Sequence, residues 1–159
     1  MIRPFLLAPF ALLAAACGTQ GTYELHWSIA CVTGQPDPCP VSTAQDCSLT
    51  GFDAVAVVAV RGTQSTRSLF PCFSPLGPMG LGPGLGRGPT TLEVSGLSPG
   101  GQLLAGPVAV DVDIPAIGAV STAVMLPRPA ACRDGVDNDG DGLVDMMDPD
   151  CHSPDDIHE

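Results

Sequence analysis

Five aspartates near the carboxyl end, Asp137, Asp139, Asp141, Asp145 and Asp148, stand at positions 1, 3, 5, 9 and 12 of a twelve-residue loop. Gly142 falls at position 6 and apolar Val144 at position 8. Carboxylates at this spacing are hard oxygen donors for a divalent ion, and calcium takes six to eight such ligands at roughly 2.3–2.6 Å. Side chains at positions 1, 3 and 5 point inward as the chain curls, and glycine at position 6 permits the bend. The main-chain carbonyl of Leu143 would be the ligand at position 7, and Asp145 would act directly or through a water. Aspartate at position 12 reaches less far than the usual glutamate. The expected affinity is therefore about 10⁻⁴–10⁻³ M, the range of extracellular modules.

A solvated acidic tail is the plainer reading. From position 134 to 159 there are ten carboxylates and no Lys or Arg, so without a cation the segment repels itself. The regular placement of acids around a glycine favours the ion. Asp134-Gly135 before the loop and Pro149 after it leave no room for long flanking helices. Cys132 and Cys151 bracket the loop instead, and a bond between them would hold its ends together. Closing a ~20-residue loop in this way is worth about 3 kcal/mol in the chain-entropy model.

The run from Asp137 to Cys151 resembles the thrombospondin type 3 repeat. It is also similar to the Cys-flanked, Asp-rich motif that closes many secreted and surface proteins of Gram-negative bacteria. The resemblance covers about the last eighth of the chain. It implies calcium held by Asp side chains in a non-helical, disulfide-pinned loop. A single copy implies a tail module (residues 130–159) and not a calcium-filled rod.

At the other end, Met1-Ile2-Arg3 is a short basic start, residues 4–13 are mostly apolar, and Ala14-Ala15-Ala16 precede Cys17. The apolar run is too short to span a bilayer, which needs ~20 residues, so residues 1–16 read as a cleaved signal peptide. The stretch before Cys17 resembles a bacterial lipobox. That resemblance implies lipidation of Cys17, with palmitate on a membrane-anchored N-terminus (17–21). Gly18 after the cysteine implies the outer membrane, on either its periplasmic or its surface face. An ordinary secretory signal cut nearby, leaving Cys17 free, is the other reading.

Setting Cys17 aside leaves Cys31, Cys39, Cys47, Cys72, Cys132 and Cys151. An even number in an exported chain implies disulfides, although six cysteines permit fifteen pairings. The expected pairs are Cys132 with Cys151, Cys47 with Cys72, and Cys31 with Cys39. No Cys-x-x-Cys occurs and His26, His152 and His158 are scattered, which argues against zinc.

The elements that must position this tail lie in residues 22–128. Between positions 18 and 133 there are seven acids and five arginines, so nearly all of the net charge of −11 belongs to the tail. There is no Lys and no basic patch, and nucleic acid is not an expected partner. Tyr23, Leu25, Trp27, Ile29 and Cys31 alternate with polar residues, the period of a half-buried strand, with Trp27 as a core anchor. Residues 52–60 are more continuously apolar, as for a central strand covered on both sides. Residues 68–73, 91–94, 108–114 and 119–126 follow between Gly and Pro, with Asp111 and Asp113 on a solvent face. About six or seven short strands predict an all-β fold: a single disulfide-stabilised β-sandwich with a short non-helical calcium-loop tail. Residues 74–89 read as a flexible Gly/Pro-rich surface loop. Trp27 and the Gly96-Leu97-Ser98-Pro99-Gly100 turn resemble immunoglobulin-like or fibronectin-type domains. A transthyretin-like or carboxypeptidase-regulatory sandwich is an equal candidate.

No Gly-x-Ser-x-Gly elbow, phosphate-binding glycine turn or His-Glu-x-x-His is present. The expectation is a non-catalytic cell-envelope lipoprotein with a structural or adhesive role. The alternative is a surface subunit that binds a glycan or an extracellular protein through the 32–50 or 74–89 loops.

Overall fold

The computed structural model describes residues 21–30, 47, 50–138 and 140–156. Strands β1 (Thr22–Ile29), β2 (Ala54–Arg61), β3 (Gln64–Pro71), β4 (Met79–Pro83), β5 (Gly88–Leu97), β6 (Leu103–Ile114) and β7 (Ala119–Leu126) build two sheets. One has the order β4-β1-β7 and the other β3-β2-β5-β6. The four-stranded sheet is antiparallel throughout. In the three-stranded sheet β1 runs antiparallel to β4 and parallel to β7, so the first and last strands lie side by side. The sandwich-like, all-β class read from the alternation is the one observed.

Alternation in β1 sets the core. Tyr23, Leu25 and Trp27 point inward onto Val55, Val57 and Ala59 of β2 and onto Leu92 and Val94 of β5. Trp27 is a core residue: its indole Nε1 donates to the carbonyl of Cys72 at 2.9 Å, and its ring sits 6.1 Å from that of Phe70. At one end of the sandwich a second cluster gathers Ile29, Phe52, Leu104 and Ala105 around Cys47 and Cys72. Asp111 and Asp113 are exposed on β6, as their alternation with valines requires.

Two expectations need correction. The continuous apolar run of β2 is not covered on both sides along its length. Ala54 and Ala56 are buried on the outer face, whereas Val58 and Val60 are only half-buried. The outer face opens beyond Ala56, which stands in register between Leu69 and Ser95.

Nor is the 74–89 stretch a flexible excursion, because β4 lies inside it and β5 begins at Gly88. Gly80 and Gly82 of β4 pair with Leu25 and Tyr23 of β1 and face inward. A Cβ at Gly80 would come 2.6 Å from the Phe70 ring, and one at Gly82 would come 2.1 Å from the Tyr23 hydroxyl. Glycine in this strand is the space that two core aromatics occupy. The turn beyond β4 is held by Arg61. Its guanidinium donates to the carbonyls of Leu85, Gly86, Arg87, Gly88 and Pro89 and to the Thr90 hydroxyl, at 2.6–3.0 Å.

Disulfides join Cys47 to Cys72 and Cys132 to Cys151, with Cα–Cα distances of 5.9 and 5.6 Å. Both pairings are the expected ones. Cys31, Cys39, Cys17 and the rest of residues 1–20 lie outside the described residues, as do Asp139 and His158.

Candidate metal centre

After β7 the chain turns through a short 3₁₀ segment, Ala131–Arg133, and enters the acidic loop at Asp134. Asp134 is 7% exposed. Its Oδ1 accepts from the Val136 N–H at 2.9 Å and from Asn138 Nδ2 at 3.2 Å, closing the first turn. Asp137, at position 1, accepts from Gly140 N–H with Oδ1 at 2.7 Å and from Gly142 N–H with Oδ2 at 3.0 Å. Asp141 Oδ1 accepts from Leu143 N–H at 2.8 Å. Short aspartates capture the N–H groups two to five residues ahead, and each capture bends the chain in the manner of an Asx turn. Gly142 takes φ +96° at the bend, a conformation open to glycine and unfavourable for most other residues.

The second half of the loop comes back onto the first. Val144 is extended, and Asp145 begins a second 3₁₀ segment, Asp145–Met147. Asp145 is a non-glycine residue with positive φ, 53°, a region in which Asp is tolerated better than most side chains. This backbone directs Oδ1 of Asp145 to the N–H of Gly135 at 3.0 Å, so position 9 is tied to the loop entrance. Asp148, at position 12, is 3% exposed, and its Oδ1 accepts from Asp150 N–H at 2.7 Å. Neither flank is an α-helix, and the Cys132–Cys151 bond holds the ends.

Two acids that the spacing did not single out brace this arrangement. One is Asp134. The other is Asp156, whose Oδ2 accepts from Ser153 N–H at 2.8 Å and His152 N–H at 2.9 Å. These bonds, that from Ser153 first, hold the Asp156 carboxyl below the ordinary carboxylate value. The carbonyl of Asp156 accepts from Cys132 N–H at 3.2 Å, closing the tail on itself. A sequence signal existed: Ser153-Pro-Asp-Asp156 has the Ser-x-x-acid spacing in which an acid reaches back to the N–H of the serine. Arg133 makes an exposed ion pair with Asp155 at 2.7 Å.

Among the described residues no three His, Cys, Asp or Glu side chains converge so as to hold an ion. The geometry gathers Asp145 to the loop entrance, but it turns Asp137 and Asp141 onto N–H groups of their own loop. The donor set still suits calcium in kind. It consists of carboxylates and a carbonyl, all hard oxygens. A carboxylate oxygen that accepts one N–H keeps a further lone pair for a second partner.

Elsewhere, His26 and Glu24 share the outer face of β1, with Nε2 and Oε1 2.7 Å apart, and the Ser121 hydroxyl lies 3.5 Å from the same Oε1. The carboxylate stands between hydroxyl and imidazole, so this trio does not have the order of a base-activated nucleophile. No described helix is long and apolar enough to cross a membrane. In comparisons with known proteins the chain matches no family model, no curated protein and no solved structure.

Proposed function

We propose that this is a non-catalytic lipoprotein of the bacterial cell envelope, anchored at the outer membrane through Cys17, whose C-terminal module binds calcium in a structural or adhesive role. The observation that carries the reading is the Cys132–Cys151 bridge closed around the aspartate ladder. It supplies the end-to-end restraint that helices give other calcium loops. Two disulfides in a small chain also favour an oxidising compartment. The ladder itself supplies Asp137, Asp139, Asp141 and Asp145, the carbonyl of Leu143, and Asp148. The ion would neutralise carboxylates that otherwise repel one another.

The reading as a glycan- or protein-binding subunit has less support. Strand β4 and the Arg61 clamp occupy most of the 74–89 stretch on which it partly stood. Calorimetric titration of the oxidised mature chain tests the calcium site. Binding in the ~10⁻⁴–10⁻³ M range is expected, and it should be abolished in Asp139→Ala/Asp141→Ala. Heat unchanged in that variant would remove the assigned ligands. A diacylglyceryl mass on Cys17 is the expected mark of the anchor.

A further inference from the structure

The acidic tail is seated on the sandwich. Pro129, Ala130, Ala131 and Cys132 are all buried. The next residue but one, Asp134, packs its backbone against Gly51. A Cβ on Gly51 would lie 2.8 Å from the Asp134 carbonyl oxygen and 3.3 Å from its Cβ, and φ of Gly51 is +68°. Gly51 belongs to the turn that begins at Cys47, whose carbonyl accepts from Phe52 N–H at 3.0 Å and from the Thr50 hydroxyl at 3.0 Å. Cys47 is bonded to Cys72, and the Cys72 carbonyl holds the indole of Trp27. On the tail side, Gly135, adjacent to Asp134, is the residue gripped by Asp145. A continuous run of covalent and packed contacts therefore joins the candidate calcium ligand at position 9 to the single tryptophan of the core.

From this seating we infer that the tail is a calcium-responsive cap on the Cys47–Cys72 end of the sandwich, and that the two unfold as one unit. The inference rests on the calcium reading of the loop and says what the bound ion does for the rest of the molecule. A ligand that binds only the folded state raises the folding constant by a factor of 1 + [L]/Kd. An ion held by an independent appendage stabilises that appendage alone. An ion held by a cap with a shared buried surface stabilises the sandwich as well.

The experiment uses the oxidised mature chain and calcium chloride against chelator, with calorimetric heat and Trp27 fluorescence melts followed in parallel. At free calcium ten times Kd, a single Trp27 transition is expected, with the folding constant raised about elevenfold. The variant Asp137→Asn/Asp141→Asn, which leaves the Gly51 seat intact, should lose both the heat and the shift. Gly51→Ala should keep the heat and show a reduced shift. Should Gly51→Ala not fold, hydrogen exchange of the β2 and β3 amides in the unaltered chain, slowed by calcium, gives the same reading. Binding heat with an unmoved Trp27 melt and unchanged exchange would overturn the cap while leaving the calcium site. The absence of any heat would overturn both.

Discussion

Glycine is usually read as absence of structure, and in β4 that reading fails one residue at a time. The inward positions of Met79–Pro83 are Gly80 and Gly82, and the volume their missing side chains leave is filled by Phe70 from β3 and Tyr23 from β1. Gly82→Ala would set a methyl 2.1 Å from the Tyr23 hydroxyl and 2.2 Å from its ring carbon, with both backbones fixed in the sheet. Overpacking of this kind costs about 1–3 kcal/mol. The expected result is a lower urea midpoint with an unchanged slope. Tyr23→Leu in the same chain should give back part of the loss, and the coupling read from the double-mutant cycle measures the contact.

At the scale of elements, the loop-closing disulfide takes the place of flanking helices. Replacing Cys132 and Cys151 by Ser releases a loop whose ends are 19 residues apart, and the chain-entropy model puts the loss at about 3 kcal/mol. Denaturant unfolding followed by Trp27 fluorescence should show that loss, and calcium titration should show weaker binding. The alternation of β1, the solvent-facing acids of β6 and the bracketing cysteines were legible because each follows from a fixed period or from the separation of two residues. The strand β4 was not. Its every-second glycines carry the period of two, but a strand pattern is normally recognised by apolar side chains, and here those belong to neighbouring strands. The six-bond clamp of Arg61 was hidden for a different reason, since a lone arginine at a strand end says nothing about which carbonyls the fold brings to it. In the candidate site the aspartate ladder was visible in sequence, whereas the Ser153-x-x-Asp156 brace lay outside the ladder's spacing and was not singled out. The burial of Asp134 was not, because it depends on Gly51, more than eighty residues away.

For the whole molecule, charge is divided between a nearly balanced sandwich and a tail that carries ten of the seventeen acids. On the alkaline side, stability responds to a group in the core. Tyr23 is the only tyrosine and is fully buried. Its hydroxyl has no partner at hydrogen-bonding geometry among the described residues, and burial pushes its pKa above the ordinary value near 10; a weak interaction with the Ser68 hydroxyl offsets part of this. Ionisation is thus easier in the unfolded chain than in the folded one. Above pH ~10 the unfolded state binds fewer protons than the native state, so stability falls as pH rises. The contribution is fully present below the unfolded value and disappears as pH climbs through the raised native one. Tm measured from pH 8 to 11 should hold steady and then decline past 10. The absorbance of the phenolate should rise only on that decline. In Tyr23→Phe, which removes the titrating hydroxyl and keeps the ring over Gly82, the alkaline decline should flatten. A Tyr23 that titrated at its ordinary value in the native protein would show that the space over Gly82 is open to water.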